Sequence, residues 1–322
     1  AIIMVGLLNG GIFPMKVLVT GGTGLIGSAL IPRLLADYQV TVTSRTPQRA
    51  LEQFGPAVQV VRGIEELEDF SEYDAVINLQ GEGIAQRRWS ARRKQQLEQS
   101  RWQVTRELTE RIRLAANPPQ VFISGSAIGY YGAQGATPVT EQTEVTQPDD
   151  FAHRLCVEWE RLALAAQSAE TRVCVLRTGV VLAPRGGALE KMLPPYLLGL
   201  GGPIGSGTQG FSWVHVDDMV EIILFLLRQQ ECQGIFNATA PQPVEQREFS
   251  KTLAKVLRKS HFMRIPSWAM KLMLGELSNM VLTGQFVLPE NLQKAGYQFK
   301  FESLEAALRD CLLPVSSPAQ TD

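Results

Sequence analysis

Short apolar segments alternate with longer amphipathic segments through the first two thirds of the chain. The apolar runs are typical of strands covered on both faces, and the amphipathic runs have helical spacing. The predicted strands are Lys16–Thr20, Val40–Ser44, Ala57–Arg62, Asp74–Leu79, Val121–Ser124, Arg172–Arg177 and Gly234–Ala238. The predicted helices are Leu25–Ala36, Trp89–Asn117, Phe151–Ser168, His215–Arg228 and residues 245–259. This alternation predicts βαβ units with right-handed crossovers and a parallel sheet.

The texture of the chain changes after residue 178. Residues 184–212 are rich in glycine and proline, which predicts loops that cross the sheet. Residues 266–312 have helical spacing and a broad apolar face. We therefore predict an α/β fold, in which a Rossmann-type, doubly wound parallel sheet is followed by a smaller, mostly helical C-terminal region on the substrate side.

Composition and charge narrow the class of protein. The chain has 322 residues, 45% of them hydrophobic, and its formal net charge is -1, from 31 basic and 32 acidic side chains. That balance gives no overall field for nucleic acid, and we expect no nucleic-acid partner. The 4 cysteines lie far apart and only 3 histidines occur, so we predict no metal site and a reducing, cytoplasmic setting.

The two ends of the chain are expected to lie outside the folded core. Residues 1–14 are apolar and uncharged, without the basic start of a signal peptide and too short to span a bilayer. We expect an extension upstream of a natural start at Met15, with a small ordered arm as the alternative. Residues 313–322 are expected to be a frayed tail.

A glycine pattern follows the first predicted strand. Gly21, Gly24 and Gly27 stand three residues apart, where the strand ends and the first helix begins. Glycines at such a turn let the backbone approach a pyrophosphate, and the helix N-terminus offers free N–H groups and a positive dipole end. We predict a dinucleotide site here, and the alternative is an ordinary strand-to-helix turn.

The end of the second strand distinguishes between the two nicotinamide dinucleotides. An acidic residue there bonds the ribose 2′-hydroxyl and repels a 2′-phosphate, whereas this chain has Ser44 and Arg45, with Arg49 nearby. A hydroxyl and a guanidinium suit a phosphate. We therefore predict NADP(H) as the cofactor, and the alternative is that Arg45 is only a solvated loop cation.

Several motifs together resemble one family. They are Thr20–Gly27, Asn78–Gly81, Ile84–Trp89, Ser124–Gly132, Ser212–Asp218 and Gly284–Tyr297. The combination spans residues 15–312 and resembles the atypical extended short-chain dehydrogenase/reductases known as epimerase family proteins, also described as SulA-like cell division inhibitors. The resemblance implies a Rossmann core with NADP(H) bound and a short C-terminal domain of unknown function. It implies no particular substrate.

The resemblance and the glycine pattern together indicate the residues around the cofactor. These are Gly21, Thr23, Gly24, Leu25, Ile26, Gly27, Ser44, Arg45, Asn78, Leu79, Gln80, Gly81, Ser124 and, at the nicotinamide end, Val180. Nucleotide-sugar enzymes of the superfamily often carry an Arg where Phe211 and Ser212 stand, so a diphosphate-linked sugar is disfavoured.

The usual catalytic residues of the superfamily are only partly present. Its members use a Ser, a Tyr and a Lys four residues after the Tyr, and the Lys lowers the pKa of that phenol. Ser126 matches the serine, but Phe151 and Leu155 stand where the Tyr and the Lys belong. We predict Ser126, Tyr131 and Tyr130 as catalytic residues, and the alternative for both tyrosines is packing against cofactor or substrate.

Several other titratable side chains could be catalytic but have simpler structural interpretations. We expect His215 to pack at a helix start capped by Asp217 and Asp218, and Glu141 and Glu144 to be solvated, rather than to act as acids or bases.

Two surface features follow the same pattern. The basic run Arg87, Arg88, Arg92, Arg93 and Lys94 could meet a phosphate, an acidic partner or an anionic membrane, unless it is only a solvated helix start. The apolar face of Trp268–Met280 is expected to pack over the substrate pocket, with a membrane or partner surface as the alternative.

Two functions are compatible with these residues. One is an NADP(H)-dependent oxidoreductase or epimerase-like enzyme that acts on a small, mostly uncharged substrate. The other is an NADP(H)-binding sensor or assembly factor without turnover, which acts on cell division or a membrane complex through a protein or peripheral membrane partner. We expect a monomer or a homodimer. The predicted units are 1–14 (extension), 15–180 (NADP(H)-binding core), 181–265 (substrate loops and returning core elements), 266–312 (helical domain) and 313–322 (tail).

Overall fold

The computed structural model describes residues 14–145 and 150–313. The predicted extension and tail therefore lie, apart from residues 14 and 313, outside the described residues. The strands are β1 Lys16–Thr20, β2 Gln39–Thr43, β3 Val58–Val61, β4 Ala75–Asn78, β5 Val121–Ala127, β6 Pro138–Val139, β7 Arg172–Thr178, β8 Val180–Leu182, β9 Gly210–Phe211, β10 Trp213–His215, β11 Gly234–Ala238, β12 Val244–Glu245 and β13 Phe286–Val287.

The helices lie between these strands and in the C-terminal region. They are α1 Leu25–Leu34, α2 Pro47–Phe54, α3 Ala91–Leu114, α4 Phe151–Leu164, α5 Gly187–Leu197, α6 Val216–Arg228, α7 Gln246–Leu257, α8 Ser267–Leu274, α9 Ser278–Thr283, α10 Glu290–Lys294 and α11 Leu304–Leu312. Short 3-10 turns occur at Ile64–Glu66, Phe70–Glu72, Ile128–Tyr131 and Gly275–Leu277. In the described part of the chain, no helix is both long and apolar enough to cross a bilayer.

The central sheet is parallel throughout, as the alternating pattern predicts. In the described residues its order is β3-β2-β1-β4-β5-β7-β11. The chain builds outward from β1 to β3, returns to β4 beside β1, and then builds in the other direction. The predicted Rossmann-type, doubly wound fold is therefore confirmed, and its topological switch point lies between β1 and β4.

The sheet is covered by helices on both faces, which explains why its strands are apolar without alternation. Val17, Leu18 and Val19 are consecutive in β1 and all fully buried. Val17 and Val19 belong to a core cluster with residues of α1 and α6, whereas Leu18 packs in a cluster with residues of α3 and α4. Burial on both faces is what a parallel sheet requires.

The prediction of loops over residues 184–212 is wrong, because α5 lies within that segment. Two prolines, Pro194 and Pro195, fall in its last turns, and glycines flank it. The helix forms nevertheless because it buries Leu189 and Tyr196 against the core below. Tertiary burial here outweighs the local breaking tendency of proline. The short helix α2, which begins on Pro47, was also absent from the sequence prediction.

The C-terminal region is joined to the core by one buried carboxylate. Asp218 in the first turn of α6 is fully buried and accepts hydrogen bonds from the backbone N–H of Lys300 (2.8 Å) and Phe301 (2.9 Å) and from the hydroxyl of Tyr297 (3.0 Å). The expectation that the aspartates cap α6 is wrong: the Nδ1 atom of His215 accepts the N–H of Asp217 (3.1 Å) and is the cap. Asp218 is free to hold the C-terminal segment instead.

We predict that Asp218→Ala lowers the free energy of unfolding by about 3 kcal/mol or more, since buried donors lose a charged acceptor. Urea denaturation of the full chain measures this loss. The matched control is Asp217→Asn, whose carboxylate pairs with Lys300 at the surface (2.7 Å) and should cost less than about 1 kcal/mol. Equal losses for the two variants would contradict the assigned role.

Candidate functional site

The carboxyl ends of the central strands meet at one edge of the sheet. Thr20, the last residue of β1, is in register with Thr43 of β2 and with Asn78 of β4. The ends of β5 and β7 are aligned in the same way through Ala127 and Thr178. Ligands of doubly wound sheets bind at this edge, beside the switch point, so it is the candidate site.

The turn from β1 to α1 is shaped by glycines that nothing larger can replace. Gly21 has φ +72, and a Cβ added to it would lie 2.6 Å from the carbonyl carbon of Leu79. A Cβ on Gly27 would lie 2.5 Å from the carbonyl oxygen of Gly22. The turn is therefore pressed against itself and against the loop after β4.

The start of α1 fits an anion. Its cap residue, Gly24, is exposed and offers no side-chain acceptor, and the first turn has no acidic residue, so the first N–H groups of the helix lack a side-chain partner. A Cβ on Gly24 would meet only the Gly21 carbonyl oxygen within 4 Å, which leaves the space above the turn open. Thr23 is exposed beside it, and Leu25 and Ile26 are half-buried. These residues fit the pyrophosphate of a dinucleotide.

The end of β2 presents a hydroxyl and a cation. Ser44 is buried and its Oγ accepts the N–H of Thr46 (3.3 Å), which fixes the turn. The Arg45 side chain is 88% exposed and lies 3.5 Å from a carboxylate oxygen of Glu82, in the loop after β4. No carboxylate follows β2 directly in the sequence, so this corner suits a phosphate better than a ribose hydroxyl pair.

Asn78 of β4 and Ser124 of β5, both expected beside the cofactor, are fully buried, and their contact with it stays a prediction. The fully buried Asn78 amide accepts a hydrogen bond from Thr20 Oγ1 (2.7 Å) and donates to Thr105 Oγ1 (2.9 Å) and Ser124 Oγ (3.4 Å). These bonds tie β1, β4, β5 and α3 together. The backbone N–H groups of Leu79 and Gln80 join the same set of bonds, since they donate to the Thr20 carbonyl (3.0 Å) and to Asn78 Oδ1 (3.4 Å). No sequence pattern indicated Thr105, which lies inside the long polar helix α3.

Two of the three predicted catalytic hydroxyls belong to a buried polar network. Ser126 Oγ donates to Glu160 Oε1 (2.6 Å), and Glu160 forms a two-pronged ion pair with Arg177 (2.9 and 2.8 Å). Arg177 also donates to the Tyr131 hydroxyl (3.0 Å), which donates in turn to Asn237 Oδ1 (2.8 Å). We call these five residues the buried polar network.

The network satisfies its own polar groups. Ser126 is 5% exposed and Tyr131 is 0% exposed, so both hydroxyls bond to protein groups inside the fold. Burial raises the pKa of the Tyr131 phenol, although the Arg177 guanidinium opposes the effect. Burial alone lowers the pKa of Arg177, but the paired Glu160 carboxylate outweighs it and holds that pKa above its usual range. The catalytic roles given to Ser126 and Tyr131 stay predictions.

Tyr130 differs from its neighbour. It is half-buried, and among the described residues its hydroxyl makes no hydrogen bond. The Arg177 guanidinium lies 3.3 Å from the centroid of its ring, and the rings of Tyr131 and His153 pack at 5.5 and 5.4 Å. His153 Nδ1 also contacts its carbonyl oxygen. The ring is thus held firmly, while its hydroxyl is not engaged by the described part of the protein.

The positions of the missing Tyr and Lys are occupied by apolar packing. Phe151 and Leu155 are each 2% exposed and share a cluster with Leu97. Phe151 packs edge-on against Trp89 (4.9 Å between centroids), and Trp102 donates its indole N–H to the Leu155 carbonyl (3.0 Å). No polar group replaces either side chain at those two positions.

The expectation that Glu141 is solvated is wrong. It is half-buried rather than solvated, and its Oε1 accepts the N–H of Asn237 (2.8 Å) and of Asn291 (3.3 Å). Its Oε2 is buried without a hydrogen-bond partner in the described residues, and burial raises the pKa of this carboxyl. Glu141 therefore connects the buried polar network, through Asn237, to the C-terminal region. Glu144 is exposed, as expected.

The segment from β8 to α5 covers the edge of the sheet. The N–H of Val180, expected near the nicotinamide, donates to the Ser212 carbonyl (2.9 Å). Further on, a Cβ on Gly187 would lie 2.8 Å from Leu25 of the glycine turn, and Lys191 Nζ donates to the carbonyl of Ala85 after β4 (3.1 Å). The start of α5 thus lies against both loops that flank the candidate site.

One cluster has the composition of a metal site. Ligand atoms of His215, Asp217 and Asp310 lie within 4.8 Å of one another. However, Nδ1 of His215 already accepts the N–H of Asp217, so Nε2 carries the ring proton and faces Asp310 Oδ2 at 3.2 Å. Burial lowers the pKa of His215, and Lys300 Nζ supplies a cation 2.7 Å from Asp217. The protonated Nε2 does not suit a metal.

Comparisons with known proteins agree with this architecture. The sequence model of the NAD dependent epimerase/dehydratase family matches residues 17–239, and the Domain of unknown function (DUF1731) matches residues 265–311. Epimerase family protein SAR0825 of Staphylococcus aureus (strain MRSA252) is 38% identical over 296 residues, which is 92% of this chain and 98% of that protein.

Two solved structures share this fold. The human epimerase family protein SDR39U1 (isoform2), crystallised with NADPH, is 35% identical and superimposes with a TM-score of 0.82 over 92% of this chain and 99% of that chain. UDP-glucuronic acid 4-epimerase of Bacillus cereus, in complex with NAD, has a TM-score of 0.72 at 20% identity over 92% of this chain and 94% of that chain. The second likeness is one of fold alone.

We predict that Gly21→Ala weakens dinucleotide binding by at least about tenfold, because the added methyl must push the Leu79–Gln80 backbone away from the site. Fluorescence titration with NADPH measures the loss. Gly55→Ala is the matched control: φ is +77 there, but nothing lies within 4 Å of the added Cβ. The positive φ should cost each variant about 1–2 kcal/mol of stability, and the clash with the Leu79 backbone should cost Gly21→Ala more. Retained binding by Gly21→Ala would refute the close contact.

Proposed function

Because the chain belongs to the NAD-dependent epimerase/dehydratase family, we propose that it is an NADP(H)-dependent oxidoreductase that acts on a small, uncharged substrate. The observation that carries this proposal is the corner at the end of β2. There Ser44 and an exposed Arg45 follow the strand, with no carboxylate directly after it, and the neighbouring end of β1 carries the glycine turn that fits a pyrophosphate. The NADPH bound to human SDR39U1 supports the same choice of dinucleotide.

We assign each residue a role from its position at the carboxyl edge of the central sheet. The glycine turn and the start of α1 hold the pyrophosphate, and Arg45 turns from Glu82 towards the 2′-phosphate. When bound, the nicotinamide supplies or accepts a hydride. Tyr130 holds the proton that a substrate oxygen gains or loses, since its ring is fixed by Arg177 and its hydroxyl makes no hydrogen bond within residues 14–145 and 150–313. The start of α5, between the two flanking loops, limits the access of water.

The small, uncharged nature of the substrate is part of the proposal. Phe211 and Ser212 stand where related sugar-nucleotide enzymes often carry an Arg. Both are buried, and Ser212 Oγ accepts the N–H of Val287 (2.8 Å) and donates to the Gln285 carbonyl (2.8 Å). This corner is therefore filled by the C-terminal region and offers no cation to a diphosphate. A cytoplasmic location also belongs to the proposal and is supported by the buried thiols of Cys156 and Cys174.

A second function is favoured by one specific observation. Ser126 and Tyr131 are enclosed in the buried polar network, and apolar Phe151 and Leu155 occupy the remaining catalytic positions. A protein that binds NADP(H) but has lost turnover would need only the glycine turn and the end of β2. In this second proposal the dinucleotide stabilises one conformation that a partner recognises, as in a sensor or an assembly factor.

We predict that NADPH binds at least about tenfold more tightly than NADH, and that Arg45→Gln removes most of this preference by weakening NADPH alone. A guanidinium–phosphate bond is present only with NADPH, so the dissociation constant of NADH should not change. Fluorescence titrations of both cofactors measure the ratio, and Arg113→Gln, an exposed residue near the end of α3, is the control. Tighter binding of NADH would overturn the cofactor assignment.

We predict that Tyr130→Phe lowers kcat/KM for NADPH-dependent carbonyl reduction by about 100-fold or more, without changing NADPH affinity. The matched control is Tyr38→Phe, a hydroxyl at the opposite edge of the sheet, before β2. A panel of small ketones and aldehydes identifies the substrate by NADPH oxidation. If none is turned over while NADPH raises the melting temperature, the oxidoreductase proposal fails and the sensor proposal stands.

A further inference from the structure

The start of α3 carries charges of the wrong sign for its own helix. The first turn has no acidic residue but contains Arg92, Arg93 and Lys94, and Arg87 and Arg88 precede it. A helix N-terminus is the positive end of the macrodipole, so cations there are unfavourable. Lys94 is compensated by Glu276 (2.6 Å). In the described residues no carboxylate forms an ion pair with Arg87, Arg88 or Arg92.

Two adjoining concavities follow this basic turn. One of about 370 Å³ is lined by Glu82, Arg87, Arg93 and Gln96 among others, and the next, of about 260 Å³, by Arg87, Arg88, Arg92, Arg93 and Gln96. Because they share Arg87, Arg93 and Gln96, they form one groove along the start of the helix. The groove is open to solvent, and its volume is that of a small-molecule site at the lower end of the usual range.

Arg93 is the buried residue of the groove. Its side chain is 10% exposed, and its guanidinium donates to the Gly83 carbonyl (2.8 Å), to Gln96 Oε1 (3.3 Å) and to Glu82 Oε2 (3.5 Å). Its Nε is buried without a hydrogen-bond partner in the described residues. Glu82 also faces Arg45 at 3.5 Å, so one carboxylate is shared by two cations. The positive charge of the groove is therefore left largely uncompensated.

The C-terminal region lies next to the groove. A Cβ added to Gly275 would lie 3.2 Å from a guanidinium nitrogen of Arg88, and Glu276 pairs with Lys94. The C-terminal region thus contacts Arg88 and Lys94, while Arg87, Arg88, Arg92 and Arg93 line the concave space. Planar guanidinium groups that converge on one space are suited to the oxygens of phosphate, which they bind in a two-pronged manner.

We propose that the groove at the start of α3 is a second anion site, which binds the phosphate groups of a small phosphorylated ligand. The site does not depend on the identity of the dinucleotide. It begins one residue beyond the cofactor loop, and Glu82 connects it to Arg45. A phosphate bound there relieves the repulsion among Arg87, Arg88 and Arg92 at the positive end of the helix.

Isothermal titration of the full chain with inorganic pyrophosphate, with and without saturating NADPH, tests this site. We expect saturable binding in both conditions. The double variant Arg87→Gln/Arg92→Gln should weaken it by at least about tenfold, because two of the converging cations are lost. Both side chains are exposed, so the fold should be retained, which urea denaturation checks. Arg113→Gln, near the other end of the same helix, is the matched control.

Four results would overturn the proposal. They are no saturable binding of pyrophosphate, unchanged affinity in the double variant, loss of binding when NADPH is present, and loss of binding in Arg45→Gln. The last two would place the pyrophosphate in the dinucleotide site. Binding of vesicles rich in phosphatidylserine without any binding of pyrophosphate would assign the basic turn to a membrane surface instead.

Discussion

The ion pair between Glu160 and Arg177 is the interaction on which the rest of the site depends. Taking two charges out of water is costly, and such a pair persists only when its geometry is good and its remaining hydrogen-bonding groups are satisfied. Here two-pronged contact meets that demand, and the hydroxyls of Ser126 and Tyr131 satisfy further oxygens and nitrogens. The pair joins α4 to β7 directly beneath the ligand edge. The strand ends around it are therefore fixed before any ligand arrives.

This arrangement changes what the family resemblance means for the chemistry. The serine that matches the superfamily pattern points into the protein towards Glu160, and the neighbouring Tyr131 points towards Asn237. Hydroxyls bonded to internal acceptors stiffen the core, and a proton exchange with a substrate would require them to leave those acceptors. Tyr130 differs from both, because it is only half-buried while its ring lies on the same Arg177 guanidinium. The glycine turn thus follows the pattern of the superfamily, whereas the positions of the usual catalytic Tyr and Lys, held here by Phe151 and Leu155, do not.

The sequence was informative where structure is set by local pattern, and uninformative where it is set by distant contacts. Apolar runs and the spacing of Gly21, Gly24 and Gly27 predicted the sheet and the turn, because each depends on neighbouring residues. Glu160 and Arg177 are 17 positions apart in a helix and a strand, and only folding reveals that they meet. One clue was available: Arg177 is a charged residue that directly follows the apolar, buried run from Val173 to Leu176.

The same reasoning explains the errors in the surface segments. Helix α5 was missed because two prolines and flanking glycines predict a loop, while the burial of Leu189 and Tyr196 that stabilises it cannot be seen locally. Glu141 looked like a solvated loop residue. The two residues whose N–H groups donate to its carboxylate, Asn237 and Asn291, are 96 and 150 positions away in the sequence. Buried polar groups pair across the fold, and sequence spacing carries no record of those pairings.

The position of α5 affects how fast a bound dinucleotide can leave. Its N-terminal glycines, Gly186 and Gly187, both have positive φ, and Gly187 is in close contact with Leu25, while Lys191 reaches the carbonyl of Ala85. A dinucleotide that leaves the glycine turn by this side has to displace the helix and break that contact. Residence time would then be governed by the opening of a cover rather than by the strength of the phosphate contacts. Two ligands of different affinity that lie under the same cover would then leave at similar rates.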